Sequence, residues 1–378
     1  MKNIILCFDG TWNTADAQFP TNVIKTAQLV SQADRQGVAQ ALFYDEGVGS
    51  MEVTFGNRIN RLLSGAFGFG LMENIERAYR YLIFNYAPGD RIFLFGFSRG
   101  AFSARSFAGL LRKCGVLRKD RIGQIKNAIE LYQSRGGDGP DAARCVQFRR
   151  ENSSAAYSRG ENAPADQHPL SIEYIGIWDT VGALGIPGSS IFANNFNKQY
   201  QFHDLALSSM VRSARHALAI DEKRSTFTPT LWDNLDDLNE AAGPPPEAPP
   251  YEQIWFPGDH STVGGGTTYN GLWQAALVWV IEGAMLRGLS ADEAWLSEYR
   301  DDIDHRTSVN TEMGFSLTAL SRPKWRDGPV GISLTEVSEV GRRRINSPAA
   351  ELFEKRLYRP GSLKAYLAAF GGTLGIKR

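Results

Sequence analysis

The feature of this sequence that most constrains its fold is a glycine-flanked pentapeptide between a strand-like and a helix-like segment. Residues 92–95 are continuously apolar, as expected of a strand that is buried on both faces of a sheet. Residues 96–100 then read G-x-S-x-G, and the helix-compatible run 101–111 follows. In a sharp turn from strand to helix, glycines are required where a side chain would collide with the neighbouring elements. The pattern predicts a tight bend that presents Ser98; the alternative is a turn with an incidental serine.

Strand-like runs recur along the chain, and helical stretches separate several of them. The runs share a high apolar and aromatic content, and they lie at residues 3–8, 41–44, 91–95, 171–178 and 251–256. Residues 71–86 have apolar positions close to a 3.6-residue period, and Pro88 and Gly89 end this predicted helix. Such alternation predicts a mostly parallel sheet with helices on both faces. Together with the bend at Ser98, it indicates an α/β fold of the α/β-hydrolase type.

The length of 378 residues is compatible with one elaborated α/β domain. We predict a catalytic domain over residues 1–290 and a C-terminal extension over residues 291–378 that packs on the same domain. Polar or proline-rich stretches indicate lid-like insertions near residues 134–168, 185–207 and 236–250. The basic run at residues 342–344 is interpreted as a solvated face.

The composition argues against several classes of protein. Hydrophobic residues make up 43% and charged residues 22% of the chain, which is typical of a globular protein rather than a disordered one. The 41 basic residues equal the 41 acidic residues in number, so we expect no nucleic-acid partner. The three cysteines are far apart and form no CxxC pair, which argues against a disulfide framework or a zinc site. We expect neither a cofactor nor a metal.

The apolar segments predict neither a signal peptide nor a membrane span. Asp9 interrupts the apolar N-terminal run before the core of a signal peptide could form. The run at residues 272–289 contains three polar or charged residues and is too short and too polar to cross a bilayer. We therefore expect a protein that is cytoplasmic as synthesised.

A histidine is the base best suited to remove the proton of a serine hydroxyl near neutral pH. His260 follows the strand-like run at residues 254–256 and precedes three glycines at residues 264–266. Because α/β sheets place their chemistry in loops at the carboxyl ends of strands, we predict His260 as the base. The other four histidines lie in a polar insertion, in helical or surface segments, or in the weakly patterned C-terminal part: His168, His203, His216 and His305.

The third member of such a site is a carboxylate, which fixes the tautomer of the imidazole. In this fold the chain order is serine, acid, histidine, and Asp179 satisfies that order. Because Asp179 ends an apolar run, its side chain is expected at the same edge of the sheet as Ser98. The alternative role for Asp179 is to cap the next segment. Three other aspartates stay open as candidates for the acid: Asp221, Asp233 and Asp259.

A tetrahedral oxyanion needs two backbone N–H donors. In this fold one belongs to the residue after the nucleophile, and the other to a loop after a strand that lies two strands earlier. We predict Arg99 as the first donor and either Gly10 or Thr11 as the second. Asp9 belongs to the same predicted oxyanion and substrate-binding loop. The alternative is that Asp9 and Gly10 only form a turn.

Several short motifs, in fixed order, resemble one known family. They are FDGTWN at 8–13, PTNV at 20–23, GVG at 47–49, GFSRGA at 96–101, WDTVG at 178–182 and HSTVGGG at 260–266. Together they look like the α/β-hydrolase domain of class-one lipase effectors of type VI secretion systems. The resemblance extends from residue 3 to about residue 290, with a weaker match at 358–363. The family commonly has aspartate two residues after the histidine, whereas Thr262 stands there in this chain.

The resemblance implies phospholipase A activity through a triad of Ser98, Asp179 and His260, because these residues fall within matching motifs. It implies a lipid or ester substrate, peripheral contact with a membrane, and a secretion-apparatus or immunity partner. It also implies delivery to the periplasm or to a target cell. The larger effectors carry an additional membrane-docking module, for which residues beyond about 290 are the only candidate in this chain.

Three functions stay open from the sequence. The first is a lipase or phospholipase, and the second is an esterase for small esters or acyl conjugates, which needs the same triad with a smaller pocket. The third is a protein without catalytic activity, in which residues 9–11 and 264–266 bind a phosphate or a partner peptide, since glycine-rich turns can bind anions. The three reactive residue types, present in the expected order, favour the two enzymes.

Overall fold

The structure is a computed structural model of the chain. It describes residues 1–10, 18–46, 66–134, 139–157, 166–182, 206–224, 227–244, 248–309, 324–328 and 334–371, with residues 66–69 described by their backbone alone. Thr11, His203, the motif at residues 47–49 and nearly all of the predicted insertion at 185–207 lie outside the described residues.

The strands alternate with helices, as the sequence predicts. The strands are β1 Asn3–Phe8, β2 Gln40–Asp45, β3 Arg91–Phe97, β4 Val116–Leu117, β5 Ser153–Ala156, β6 His168–Pro169, β7 Tyr174–Trp178, β8 Ala214–Ala219 and β9 Tyr251–Phe256. Six of them form one sheet in the order β2-β1-β3-β7-β8-β9, and every neighbouring pair is parallel. β4, β5 and β6 form a small separate sheet. The predicted α/β-hydrolase-type fold is confirmed.

Helices cover the sheet and continue into the C-terminal part. They are α1 Asn22–Leu29, α2 Ala66–Asn85, α3 Arg99–Cys114, α4 Ile125–Gln133, α5 Ala143–Asn152, α6 Leu235–Ala242, α7 His260–Gly264, α8 Leu272–Met285, α9 Glu293–Asp301, α10 Glu339–Asn346 and α11 Lys364–Phe370. None of the helices in the described part of the chain combines the length and the apolar character needed to cross a bilayer.

Two apolar clusters, one on each face of the sheet, form the core. Ile4 and Leu6 of β1 belong to the cluster that includes residues of α2 and α3. Ile5 and Cys7 belong to the other cluster, with residues of α1 and α8. Successive side chains of a strand point to opposite faces, so a strand covered on both sides is apolar at every position. This explains why the central strands are recognisable as continuous apolar runs.

The strand β8 was not predicted, and the assignment of His216 to a helical or surface segment is wrong. β8 is fully buried although it contains Arg215 and His216. Arg215 donates from Nε to Glu252 Oε2 of β9 over 2.9 Å, and His216 lies 3.0 Å from Gln253 Oε1 of the same strand. Because these partners lie in the neighbouring strand, the polar side chains are satisfied within the core, and no local pattern reveals the strand.

The C-terminal part contacts the β9 edge of the sheet and the loop that follows β8. The Ser338 N–H donates to the Trp255 carbonyl oxygen over 2.9 Å. Tyr358 donates its hydroxyl proton to Asp221 Oδ2 over 2.7 Å, and both groups are buried. These contacts join residues more than 80 positions apart in the sequence.

The prediction that residues 342–344 form a solvated face is wrong for Arg344, whose exposed fraction is 0%. Its guanidinium donates to the carbonyl oxygens of His305 and Thr307 over 2.6 and 2.7 Å and pairs with Glu354. A buried guanidinium is stable only when it is paired and hydrogen-bonded in this way. The run of three arginines therefore contains one residue of the C-terminal core.

Candidate active site

Ser98 occupies a strained bend between β3 and α3. Its φ and ψ are 58° and −118°, and a non-glycine residue at positive φ is strained. A Cβ atom at Gly100 would lie 2.1 Å from the Phe8 carbonyl oxygen, and one at Gly96 would lie 2.6 Å from the Gly100 oxygen. The backbone therefore approaches its neighbours too closely for any side chain at either glycine.

A continuous path of hydrogen bonds joins three predicted residues at the carboxyl edge of the sheet. Ser98 Oγ lies 2.8 Å from His260 Nε2, and His260 Nδ1 lies 2.5 Å from Asp179 Oδ2. Their exposed fractions are 6%, 5% and 0% for Ser98, His260 and Asp179. An ionised carboxylate can only accept, so Nδ1 carries the proton and Nε2 is left to accept from the serine hydroxyl. In this arrangement the imidazole is placed to accept the proton of the serine hydroxyl.

His260 is the first residue of the short helix α7. The Asp259 carboxylate caps this helix by accepting from the Thr262 N–H over 2.9 Å, and it also accepts from the Thr262 hydroxyl over 3.0 Å. The imidazole contacts the rings of Phe97 and Phe227, at centroid distances of 4.6 and 4.7 Å. Burial lowers the pKa of His260, against the opposing effect of Asp179. The imidazole is therefore neutral and able to accept a proton near pH 7.

Asp179 is also strained, with a φ of 39° at the end of β7. Its Oδ1 accepts from the Ala219 N–H over 2.9 Å and from Arg326 Nη1 over 2.7 Å, while Oδ2 accepts from Arg326 Nη2 over 2.9 Å. Burial alone would raise the pKa of the Asp179 carboxyl, but Arg326 and His260 hold it well below its usual range. The carboxylate therefore stays ionised although it is fully buried.

His216 supports the residue after Asp179. Its Nε2 accepts from the Thr180 N–H over 3.1 Å, and its Nδ1 donates to Gln253 Oε1 over 3.0 Å. Burial lowers the pKa of His216 to about 3, so the ring is neutral, as this pair of roles requires. Neither Arg326 nor His216 was singled out by sequence reasoning for these roles, because their partners are distant in the sequence.

Asp9 organises the loop that follows β1. Its carboxylate accepts from the Gly10 N–H over 2.6 Å, from the Thr21 hydroxyl over 2.7 Å and from the Tyr44 hydroxyl over 2.9 Å. The Gly10 N–H, one of the two predicted second oxyanion donors, thus donates to Asp9. The other, Thr11, lies outside the described residues.

Arg99 directly follows Ser98 and begins α3. Its side chain is partly buried, and burial lowers its pKa to about 9. The next residue, Gly100, packs against the start of the Asp9 loop, where a Cβ atom would lie 2.5 Å from the Asp9 carbonyl oxygen. The elbow and the Asp9 loop are therefore in direct contact.

The other candidates do not reach the imidazole of His260. The Asp221 carboxylate accepts from the Gly258 N–H and from Tyr358, Asp259 caps α7, and Asp233 is exposed. Of the other histidines, His168 is exposed on β6, and His305 Nε2 lies 3.0 Å from Ser347 Oγ. In the described part of the chain, no three His, Cys, Asp or Glu residues are grouped so that they could hold a metal ion.

Known proteins resemble the chain over most of its length. A family model described as the catalytic domain of Tle1-like type VI secretion phospholipase effectors matches residues 2–283. An uncharacterized protein of Saccharomyces cerevisiae is 31% identical over 237 residues, which are 60% of this chain and 32% of that protein.

Two solved structures are similar at lower identity. An uncharacterized protein from Pseudomonas aeruginosa has 17% identity and a TM-score of 0.45, over 80% of this chain and 49% of that one. The Tle1 effector bound to the VgrG spike of the type VI secretion system has 20% identity and a TM-score of 0.37, over 71% of this chain and 51% of that one. The chain spans about a third of the length of the yeast relative and about half the length of these two proteins. Because the family model matches well over half of the chain, the protein belongs to the family of Tle1-like type VI secretion phospholipase effector catalytic domains.

Proposed function

We propose that this protein is a serine acyl-ester hydrolase of the lipase or phospholipase A type, with Ser98 as nucleophile, His260 as base and Asp179 as the orienting acid. The observation that carries the proposal is the path of buried hydrogen bonds from Ser98 Oγ through the His260 imidazole to Asp179. The family match supports a phospholipid as the substrate.

The reaction follows from these contacts. Ser98 Oγ attacks the acyl carbonyl carbon while His260 Nε2 takes the hydroxyl proton. The tetrahedral intermediate then collapses, the bond to the alcohol oxygen breaks, and His260 returns the proton to the leaving alcohol. A water molecule, activated by the same imidazole, hydrolyses the acyl-enzyme. Asp179 stays ionised throughout and stabilises the imidazolium.

The oxyanion of each tetrahedral intermediate needs two donors. We assign the first to the Arg99 N–H, which begins α3 directly after Ser98. The second comes from the Asp9 loop, which contacts the elbow at Gly100. Since the Gly10 N–H donates to the Asp9 carboxylate, Thr11 is the better candidate of the two.

We also propose where the protein acts, which partners it has and how its C-terminal part is arranged. The family match supports delivery by a secretion apparatus to a target cell. Peripheral contact with a membrane, delivery to the periplasm and an immunity protein as a further partner stay predictions from the sequence. We also propose that residues 291–378 form an extension packed on the catalytic domain, because Ser338 and Tyr358 bind β9 and the loop after β8.

The test combines active-site labelling with a lipid assay. Wild type should react with a fluorophosphonate probe and should release fatty acid from phospholipid vesicles. Ser98→Ala should abolish labelling and lower kcat by about 10³-fold or more. Ser106→Ala is the matched control, because this buried serine lies on the same helix, two turns beyond the elbow.

Each result separates the candidate functions. Activity on acetyl or butyryl esters alone would replace the phospholipase by a small-ester esterase. Wild type without labelling and without turnover would favour a binding protein without catalytic activity. A loss below about tenfold in Ser98→Ala would place the chemistry elsewhere.

A further inference from the structure

Arg326 contacts the proposed triad from outside the region that the family model matches. The match ends at residue 283, and Arg326 lies 43 positions further along the chain. The residue is 8% exposed, and its guanidinium donates to both oxygens of Asp179, over 2.7 and 2.9 Å. The same guanidinium donates to the carbonyl oxygens of Ala219 and Phe227. An arginine from the C-terminal part thus connects the end of β8, the segment at Phe227 and the carboxylate at the end of β7.

We propose that Arg326 is a positioning residue for the hydrolase reaction, which fixes the plane of the Asp179 carboxylate and sets a buried positive charge against the carboxylates that face His260. This inference rests on the proposed function, since it assigns Arg326 a role in the same triad.

The guanidinium of Arg326 and the carboxylate of Asp179 form a bidentate contact. Two parallel N–H bonds from one planar guanidinium fix a carboxylate in orientation as well as in position. The Ala219 N–H is a third donor to the carboxylate, at Oδ1, and Oδ2 also accepts from His260 Nδ1. Rotation of the carboxylate would break both bonds to Arg326. The imidazole is therefore held by an acid that cannot turn away from it.

Charges of both signs face the His260 imidazole. Asp179 and Glu222 favour the imidazolium, and Glu222 Oε2 also lies 3.3 Å from the His260 backbone nitrogen. Arg224 pairs with Glu222 over 2.7 Å, and the Asp259 carboxyl caps the helix at His260. Arg326 opposes the two carboxylates and lowers the pKa of His260. Without Arg326, two buried carboxylates would face the imidazole, and its pKa would rise.

Three variants separate a positioning role from a structural one. Arg326→Met removes both the fork and the charge; we expect kcat/KM to fall by about 10²-fold, mainly in kcat, because misorientation of a catalytic group has effects of that size. The acidic limb of its kcat/KM profile should move to higher pH. Arg326→Lys keeps the charge without the fork, so its acidic limb should stay near that of wild type while kcat falls about tenfold.

Arg344→Met is the matched control. Arg344 is also buried and ion-paired, but it binds Glu354 and the carbonyls of His305 and Thr307 rather than the triad. Its loss should lower the Tm without moving the acidic limb. If Arg326→Met lowers only the Tm and leaves kcat/KM unchanged at every pH, the positioning role is refuted.

A readout without substrate keeps this inference separable from the proposed function. The His260 imidazole can be titrated by NMR in wild type, Arg326→Met and Arg326→Lys, with His260→Gln identifying its resonance. Wild type without hydrolysis but with a raised His260 pKa in Arg326→Met would remove the hydrolase and leave the electrostatic role of Arg326. Hydrolysis through Ser98 with an unchanged titration and an unchanged rate in Arg326→Met would overturn the role of Arg326 and leave the hydrolase.

Discussion

Two strained bends at the carboxyl edge of the sheet, at Ser98 and at Asp179, are held in place by different means. At Ser98 the restraint is steric: glycines allow β1, β3 and α3 to approach within distances that no side chain would fit. At Asp179 the restraint is polar: hydrogen bonds to His216, Ala219 and Arg326 fix the bend and its side chain. The comparison teaches that a strained bend can be maintained by shape or by hydrogen bonds, and we expect the two bends to respond differently to substitution.

The largest effect is expected from adding one methyl group at the steric bend. Gly100→Ala would place a Cβ atom 2.1 Å from the Phe8 oxygen, and the nearest atoms are all backbone atoms of Phe8 and Asp9, so no side chain can move aside to relieve the clash. We expect a loss of about 3 kcal/mol in the free energy of unfolding and about a 10²-fold loss of kcat through displacement of the Arg99 N–H. Denaturant unfolding and ester hydrolysis measure the two. Gly123→Ala is the control, because a Cβ atom there meets nothing within 4 Å; similar losses in both variants would refute the steric account.

A smaller effect is expected at the polar bend. His216→Phe keeps the ring against Trp232 but leaves the buried Thr180 N–H without its acceptor. A buried donor without a partner costs about 2 kcal/mol, and we expect kcat to fall about tenfold as Asp179 shifts. His216→Gln retains an acceptor in reach of Thr180 and should recover most of both losses. Equal behaviour of the two variants would mean that ring packing, rather than the hydrogen bond, holds this bend.

The smallest effect is expected at Asp259, the N-cap of the helix α7 that begins at His260. Burial raises the pKa of Asp259 to about 7, from an ordinary value near 3.8. The folded protein therefore keeps this proton over a pH range in which the unfolded chain has lost it. The resulting stability is present below pH 4 and is lost as the pH rises through 7.

The measurement is the difference in free energy of unfolding between Asp259→Asn and wild type. This difference should shift in favour of Asp259→Asn by about 1 kcal/mol between pH 6.5 and pH 8. Asp292→Asn, at the exposed N-cap of α9, controls for the loss of a cap charge. A difference that is flat over this range would contradict the buried, protonated Asp259.

The sequence predicts the steric bend better than the polar one, for a physical reason. Close approach of backbones requires glycine, so the tight packing at residues 96–100 is visible in the sequence as the local pattern G-x-S-x-G. The end of β7 was also predicted, because Asp179 terminates an apolar run. The hydrogen bonds that hold the bend at Asp179 produce no local sequence pattern, because Arg326 and Asp179 are 147 positions apart. For the same reason β8 was missed, since Arg215 and His216 find their partners in β9 and elsewhere in the fold.

The three residues predicted for the triad lie within hydrogen-bonding distance of each other, and their catalytic roles stay predictions until the Ser98 variant is measured. At the position where the resemblance predicts aspartate, this chain has Thr262. Thr262 donates its N–H and its hydroxyl to Asp259, so the short helix that carries His260 is capped from within.

The place of Arg326 in the chain bears on how the protein should be divided for experiments. A fragment trimmed at residue 283, where the family match ends, would keep Ser98, Asp179 and His260 while discarding the cation that Asp179 binds. In such a fragment the Asp179 carboxylate would lose two of its four hydrogen-bond donors. A lack of activity could then result from the loss of Arg326 and would say nothing about the roles of Ser98 and His260. Alignments restricted to the shared domain would overlook the same residue.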